Sequence, residues 1–375
     1  MLTLIKMRGK FAKSQSAPPD AILKESQEAL EESSEQFIAK KISKYDVLKV
    51  RVWLEDHFFI FSRFLVSRIL TLNKVPPKDS IRIAMDLKKL LVEEEKFDVT
   101  QSEMENYLFQ IMRAYNYGDS YIRRYQMVSR FYAARAPLLI LVAGPPVCGK
   151  STLVTQLADR VNIANVLQTA IVTSVMKKLD PALIEGPFWA YNPEEQAQRY
   201  ELENNVARKG VHTDVMKCLQ EGKALIIEGY QLDPTLYLEQ KEDAPRQFRI
   251  TMSESEDPAL QKLKKQLDDL DQSNAVIVPF LLTISEKDHA YIIENWLMSV
   301  LPEDVQEQVQ KLGNFKQQLK HLLQSFQEVQ RHLLEYNDIF TVIPINIQHI
   351  DETLSTLHNV ILARIEASFI NNRIS

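Results

Sequence analysis

Gly144, Gly149, Lys150 and Ser151 stand at the spacing G-x-x-x-x-G-K-[ST], inside AGPPVCGKST, between the apolar run PLLILV and the helix-prone LVTQLADRV. Each residue type in that pattern does something a phosphate chain requires. The glycines let the backbone curl until its amide N–H groups converge, and a helix starting near Lys150 adds the positive end of its dipole. A lysine here reaches the β- and γ-phosphates of a nucleotide, and the next hydroxyl ligates its Mg²⁺. The expected nucleotide-binding set is Gly144, Cys148, Gly149, Lys150, Ser151 and Thr152, with ATP and Mg²⁺ as cofactors. Pro145 and Pro146 carry no N–H and thin the early part of the cradle. Cys148 reads as a small side chain filling a tight turn rather than a redox group.

A second chemical residue follows downstream. ALIIEGYQLDP puts Glu228 at the end of an apolar run, and in α/β sheets ligands gather at the carboxyl ends of the strands. A carboxylate there holds Mg²⁺ or its water, which makes Ser151 and Glu228 the expected metal pair and Lys150 and Glu228 the expected catalytic pair. The plainer alternative is a strand-end glutamate facing solvent.

Positioning these groups requires a parallel sheet. LLILVA, NVLQT, ALIIEG, AVIVPFLLTI and FTVIPI are short apolar runs of the kind buried on both faces, and helical patterns at 200–222, 287–299, 302–335 and 351–367 alternate with them. The expected fold is a doubly wound α/β domain at 137–375 carrying a charged insertion at 236–273. A smaller all-helical domain at 45–136 precedes it, after a basic tail and acidic helix at 1–44. TQSEMENYLFQIMRAY opens with Thr100 and Glu103 at capping-box spacing. Two apolar stripes stand out: Leu260, Leu263, Leu267 and Leu270 in the insertion, and Leu312, Phe315, Leu319, Leu322, Phe326, Val329 and Leu333 further on. Each packs on its own domain or offers a docking face for another chain, so 256–272 and 305–335 are the expected assembly surfaces.

The chain has 375 residues and a formal charge of −5, which argues against a dedicated nucleic-acid binder. No apolar run is long enough to span a membrane. The two cysteines, Cys148 and Cys218, cannot build a disulfide framework, so the expected setting is intracellular. That means the cytoplasm, or the mitochondrion if the basic, acid-free first 19 residues are a targeting segment.

Beyond the phosphate loop, FSRFLVSRIL, IRIAMDLKKLL, VTQSEMENYLFQIM and YGDSYIRRYQMVSRF, then GKSTLVTQLADRVNIANVLQT, GVHTDVMKCLQEGKALIIEGYQLDP and FLLTISEKDHAYIIENW, together resemble the 2-phosphoglycerate kinase family. The resemblance runs from about residue 55 to 365, broken at 236–273. It implies an ATP-cone-like helical domain before a P-loop kinase domain, and transfer of the ATP γ-phosphoryl to a small phosphorylated hydroxyacid. The chain departs from the family pattern on the acceptor side. An aspartate and an arginine expected after NVLQT are Ala170 and Thr173, and a valine-histidine pair expected after IIEG is Tyr230 and Gln231.

Phosphoryl transfer is mostly positioning and positive charge, for which arginine is the best-suited side chain. Between Arg249 and Arg331 there is none, and Lys287, Lys311, Lys316 and Lys320 are the cations of the lid-like stretch. Two functions follow: a small-molecule kinase of this type, or a catalytically degenerate, nucleotide-stabilised adaptor subunit. A nucleic-acid kinase or motor ATPase is a weaker third, since no basic stripe interleaved with aromatics is present.

Overall fold

The computed structural model describes residues 44–179, 186–233 and 274–370, with the short pieces 238–239 and 247–248 and the single residues 261 and 265. The leucine stripe at 260–270 and most of the expected insertion lie outside the described residues. The first elements are α1 (Lys44–Val47), β1 (Arg51–Leu54), β2 (His57–Ile60), α2 (Arg63–Leu72), α3 (Pro77–Glu93), β3 (Asp98–Thr100), α4 (Gln101–Ala114) and α5 (Asp119–Ala133).

By contacts the chain forms two compact units. One contains the described residues up to Ser62 together with Met85–Leu108. The other contains Arg63–Ala84 and everything from Phe109 on. In the first unit β1 pairs antiparallel with β2 and parallel with β3. This small sheet corrects the all-helical expectation for the N-terminal region. Its strands are too short to show period-two alternation; cross-strand contacts make them instead. Trp53 and Phe58 rings lie 5.0 Å apart, and Asp98 accepts from both Arg51 (2.5 Å) and the Trp53 indole (2.9 Å). The capping box at the start of α4 forms as its spacing requires: the Glu103 N–H donates to Thr100 Oγ1 at 3.2 Å and the Thr100 N–H to Glu103 Oε2 at 2.9 Å.

The second unit is built on β4 (Leu138–Ala143), α6 (Lys150–Val161), β5 (Val166–Gln168), α7 (Thr169–Leu179), α8 (Pro193–Glu221), β6 (Ala224–Gly229), β9 (Val276–Thr283), α9 (Glu286–Leu297), α10 (Glu303–Lys311), α11 (Phe315–Leu334), β10 (Thr341–Pro344) and α12 (Ile350–Ile370). The two-residue strands β7 (Leu238–Glu239) and β8 (Gln247–Phe248) pair antiparallel as a separate ribbon. The five long-range strands form one all-parallel sheet in the order β10-β9-β4-β6-β5, the expected α/β class.

All six residues of β4 are buried, because both faces of the sheet are covered. Leu138, Ile140 and Val142 share one core with Leu153 and Leu157 of α6 and Leu357 and Ile361 of α12. Leu139, Leu141 and Ala143 share the other with Val211 and Val215 of α8 and Leu322 and Phe326 of α11. An unbroken apolar strand is the sequence form of that two-sided burial.

The long helix expected at 302–335 is two helices. Gly313 at φ +102 turns the chain after α10, and Asn314 with Gln317 closes a capping box on α11. The stripe Leu322, Phe326, Val329 and Leu333 is buried in this unit's own core. That half of the stripe packs on its own unit, while Phe315 at the start of α11 stays exposed and Leu312 and Leu319 are half-buried. The 29-residue α8 carries Gly210 in mid-helix, where an added Cβ would stand 2.2 Å from Val172 Cγ1 of α7. Glycine there lets the two helices touch. Among the described residues no helix is long and apolar enough to cross a membrane.

Candidate phosphate site and its acceptor side

The loop between β4 and α6 curls as the motif requires. Gly149, at φ +87, caps α6, and Val147 is also left-handed at φ +53. Gly144 has φ +155, and a Cβ on it would meet Leu282 O of β9 at 2.6 Å, so the first glycine exists for close approach to the next strand. Cys148 is buried beneath the loop, and burial pushes its thiol pKa up, which suits a filler rather than a nucleophile. Gly149, Ser151 and Thr152 face solvent. Lys150 is buried and donates from Nζ to Pro145 O at 2.6 Å, with Cys148 Sγ 3.7 Å away.

The parallel register sets Val142 of β4 beside Glu228 of β6, which brings the glutamate to the foot of α6. Ser151 Oγ donates to Glu228 Oε1 at 2.6 Å, and Glu228 is buried. The solvent-facing alternative for Glu228 therefore fails. Two hard oxygen donors in contact, with no thiol or imidazole among them, fit Mg²⁺, which keeps most of its shell for water and phosphate. Among the described residues no cluster of three or more His, Cys, Asp or Glu could hold a metal without such help.

One residue that supports the loop carried no role in the sequence reading. His289, in the first turn of α9, is fully buried, with Nε2 2.8 Å from Pro146 O and Nδ1 2.9 Å from Gln327 Nε2. These partners make Nε2 the donor and Nδ1 the acceptor. The ring stays neutral: burial lowers its pKa to about 4 even though the bond to Pro146 opposes that. The signal was present, since His289 lies within EKDHAY, but a histidine inside an amphipathic helix has no pattern that distinguishes a strut from core.

The positions that depart from the family pattern turn inward. Thr173 Oγ1 donates to its own helix, to Thr169 O (3.0 Å) and Ala170 O (3.1 Å), while Ala170 is exposed. Thr169 Oγ1 donates to Gln231 Oε1. Gln231 Nε2 and the Tyr230 hydroxyl both donate to Glu203 Oε2, at 3.4 and 2.6 Å, and the Phe188 N–H donates to Oε1 at 2.6 Å. Glu203 is thus a buried carboxyl on α8 that ties the loop after β6 to Phe188. Burial pushes its pKa up to about 7 against the pull of its three donors.

Further along the loop after β6, Asp233 accepts from His332 at 2.6 Å, and that bond raises the imidazole pKa. The pair lines a cleft of about 870 Å³ with Tyr200, Asn204, His321 and Arg331. Gln327 also lines it and holds His289, so the cleft wall and the loop share a hydrogen-bonded support. Lys150, Ser151 and Glu228 do not line the cleft. Lys287, Lys311, Lys316 and Lys320 are all exposed.

This geometry defines a P-loop kinase-like α/β protein. Its sequence is similar to 2-phosphoglycerate kinases: 29% identical over 187 residues to that of Methanocaldococcus jannaschii, covering 47% of this chain and 60% of the relative. To the Pyrococcus furiosus enzyme it is 30% identical, covering 46% and 61%, and to that of Methanopyrus kandleri 23% identical, covering 56% and 68%. The chain thus spans about 60% of the length of the first two relatives. No protein-family model matches it. Among solved structures, a tRNA isopentenylpyrophosphate transferase from Bacillus halodurans overlays with a TM-score of 0.35 at 12% identity, covering 63% of this chain and 99% of that one, too distant to define a shared fold.

Proposed function

We propose that the protein is an ATP- and Mg²⁺-dependent phosphotransferase whose acceptor is a small phosphorylated hydroxyacid of the 2-phosphoglycerate type. The observation that carries this reading is the Ser151–Glu228 contact of 2.6 Å at the open end of the phosphate loop. Bound Mg²⁺ would supply positive charge against the charge that develops on the phosphate oxygens. Ser151 and Glu228 are the oxygens that would hold it. Lys150 exchanges its bond to Pro145 O for the β- and γ-phosphates, and the amides of residues 147–151 cradle the chain of phosphates. The acceptor enters from the side of β5 and β6, next to the start of α7.

The test is ADP formation by the full chain with ATP, Mg²⁺ and 2-phosphoglycerate. The expected result is acceptor-dependent ADP, reduced at least about a hundredfold in Lys150→Ala, which removes positive charge aimed at the transferring group, and in Glu228→Gln, which removes the carboxylate that would hold Mg²⁺. A second reading, a nucleotide-stabilised protein without turnover, draws on the inward-turned Thr173, Tyr230 and Gln231. Under it, ATP·Mg²⁺ raises the melting temperature of the wild type but not of Lys150→Ala, and no acceptor yields ADP. Ala170→Asp with Thr173→Arg would then restore part of the acceptor side.

A further inference from the structure

A second cavity, of about 510 Å³, lies between α5 and α12, with a lining that shares no residue with the phosphate loop. Its α5 wall is one helical face, in which Arg123, Met127 and Arg130 follow at i, i+4 and i+7 and Arg124 joins from beside Arg123. The α12 wall repeats the spacing with Leu362, Glu366 and Phe369. Met127, Leu362 and Phe369 therefore make an apolar floor, and three guanidinium groups stand on the rim against the single carboxylate of Glu366.

That excess of positive charge is not neutralised locally. Arg123 and Arg130 are exposed, and among the described residues neither has a carboxylate partner. Arg124 donates to Asn73 O at 3.2 Å, a neutral acceptor. Its field reaches Lys74, whose pKa is lowered first by burial and then by Arg124 and Arg160. Repelling cations in a concave, half-apolar setting cost stability, and such an arrangement fits an anion that also has a flat or apolar body. Guanidinium forks match phosphate oxygens two at a time, and Met and Phe side chains suit the face of a heteroaromatic ring.

We propose that the α5–α12 cavity is a second ligand site, one that takes a nucleoside phosphate. Its phosphates pair with Arg123, Arg124 and Arg130, and its base lies on Met127 and Phe369. The site is independent of the phosphate loop and does not rest on the phosphotransferase reading.

Calorimetric titration of the full chain with ATP tests it, with Lys150→Ala used to silence the loop. Lys150→Ala should still bind ATP at this site, and adding Arg123→Gln and Arg130→Gln should weaken that residual binding at least about tenfold. Both arginines are exposed and their mutual repulsion is relieved, so the added substitutions should not lower the ligand-free melting temperature, which separates lost binding from lost fold. Pyrophosphate provides the other arm. It should bind Lys150→Ala more weakly than ATP does, because it leaves the apolar floor uncovered. No residual ATP binding in Lys150→Ala, or residual binding that survives both arginine substitutions, would overturn the site. Pyrophosphate binding as tightly as ATP would overturn its assignment to a nucleoside.

Discussion

Lys150 and His289 meet the same loop from opposite roles. Lys150 donates to Pro145 O and, under the proposed function, would turn that charge to a nucleotide, whereas His289 offers a neutral N–H to Pro146 O and holds the loop's shape. The two prolines leave their carbonyls free to accept and have no N–H to satisfy, so residues that thin the amide cradle also supply its anchor points. Replacing His289 with Ala leaves the buried Pro146 O without its donor, frees Gln327 and opens a cavity. The expected cost is about 2–4 kcal/mol by urea denaturation, with ATP affinity weakened because the loop loses its fixed curl. Unchanged ATP affinity in a folded His289→Ala protein would show that the strut is structural only.

At the scale of elements, two helices decide how the site is held. α8 presents Glu203 to the loop after β6, and α11 presents Gln327 to His289 while burying Phe326 beneath it, the Phe326 and His289 rings lying 5.9 Å apart. Phe326→Ala should therefore cost about 3–5 kcal/mol in chemical unfolding. A normal melt with loss of a binding partner would instead mark α11 as a docking helix.

Here too lies the division between what could and could not be read from the chain. The five strands were legible because burial on both faces makes them wholly apolar. The curl of the loop at Gly149 and the contact of Ser151 with Glu228 could be anticipated because a G-x-x-x-x-G-K-[ST] run between strand and helix has a recognisable spacing and Glu228 closes an apolar run. The break at Gly313 was hidden because Leu312 and Phe315 keep the apolar spacing across it. β1 and β2 were hidden because four residues show no period. Glu203 was hidden because a buried carboxyl on a long polar-looking helix announces itself only through partners such as Tyr230 and Phe188, remote in sequence.

For the molecule as a whole, burial sets opposing responses to acid. Burial lowers His289 and His358 to about 4, and raises Glu203 to about 7. A histidine with a depressed pKa favours folding above its unfolded value and loses that contribution as pH falls towards 4. A carboxyl with a raised pKa does the reverse, favouring folding at low pH and losing that contribution as pH rises through 7. Between about pH 4.5 and 6.5 the unfolded chain thus binds roughly one more proton than the folded chain at these three groups, and stability rises with pH. His212 shifts down through burial and His332 shifts up through its bond to Asp233, so these two act in opposite senses. Glu203→Gln removes the opposing group, so its acid limb should be steeper than that of the wild type by about 1.4 kcal/mol per pH unit. Thermal melts from pH 4.5 to 8 check this, and parallel limbs would show that Glu203 stays ionised throughout.

The contact of Gly210 with Val172 has a consequence for how such a sequence drifts. Val172 belongs to the helix that begins at Thr169, and Thr169 holds Gln231 on what the proposed function makes the acceptor side. Any side chain gained at position 210 must be accommodated either by a smaller residue at 172 or by a displaced α7. The first path is silent; the second carries a change made far from the phosphate into the shape of the acceptor side. Positions 172 and 210 should therefore change as a pair in lineages that keep their acceptor, and separately in lineages that exchange it.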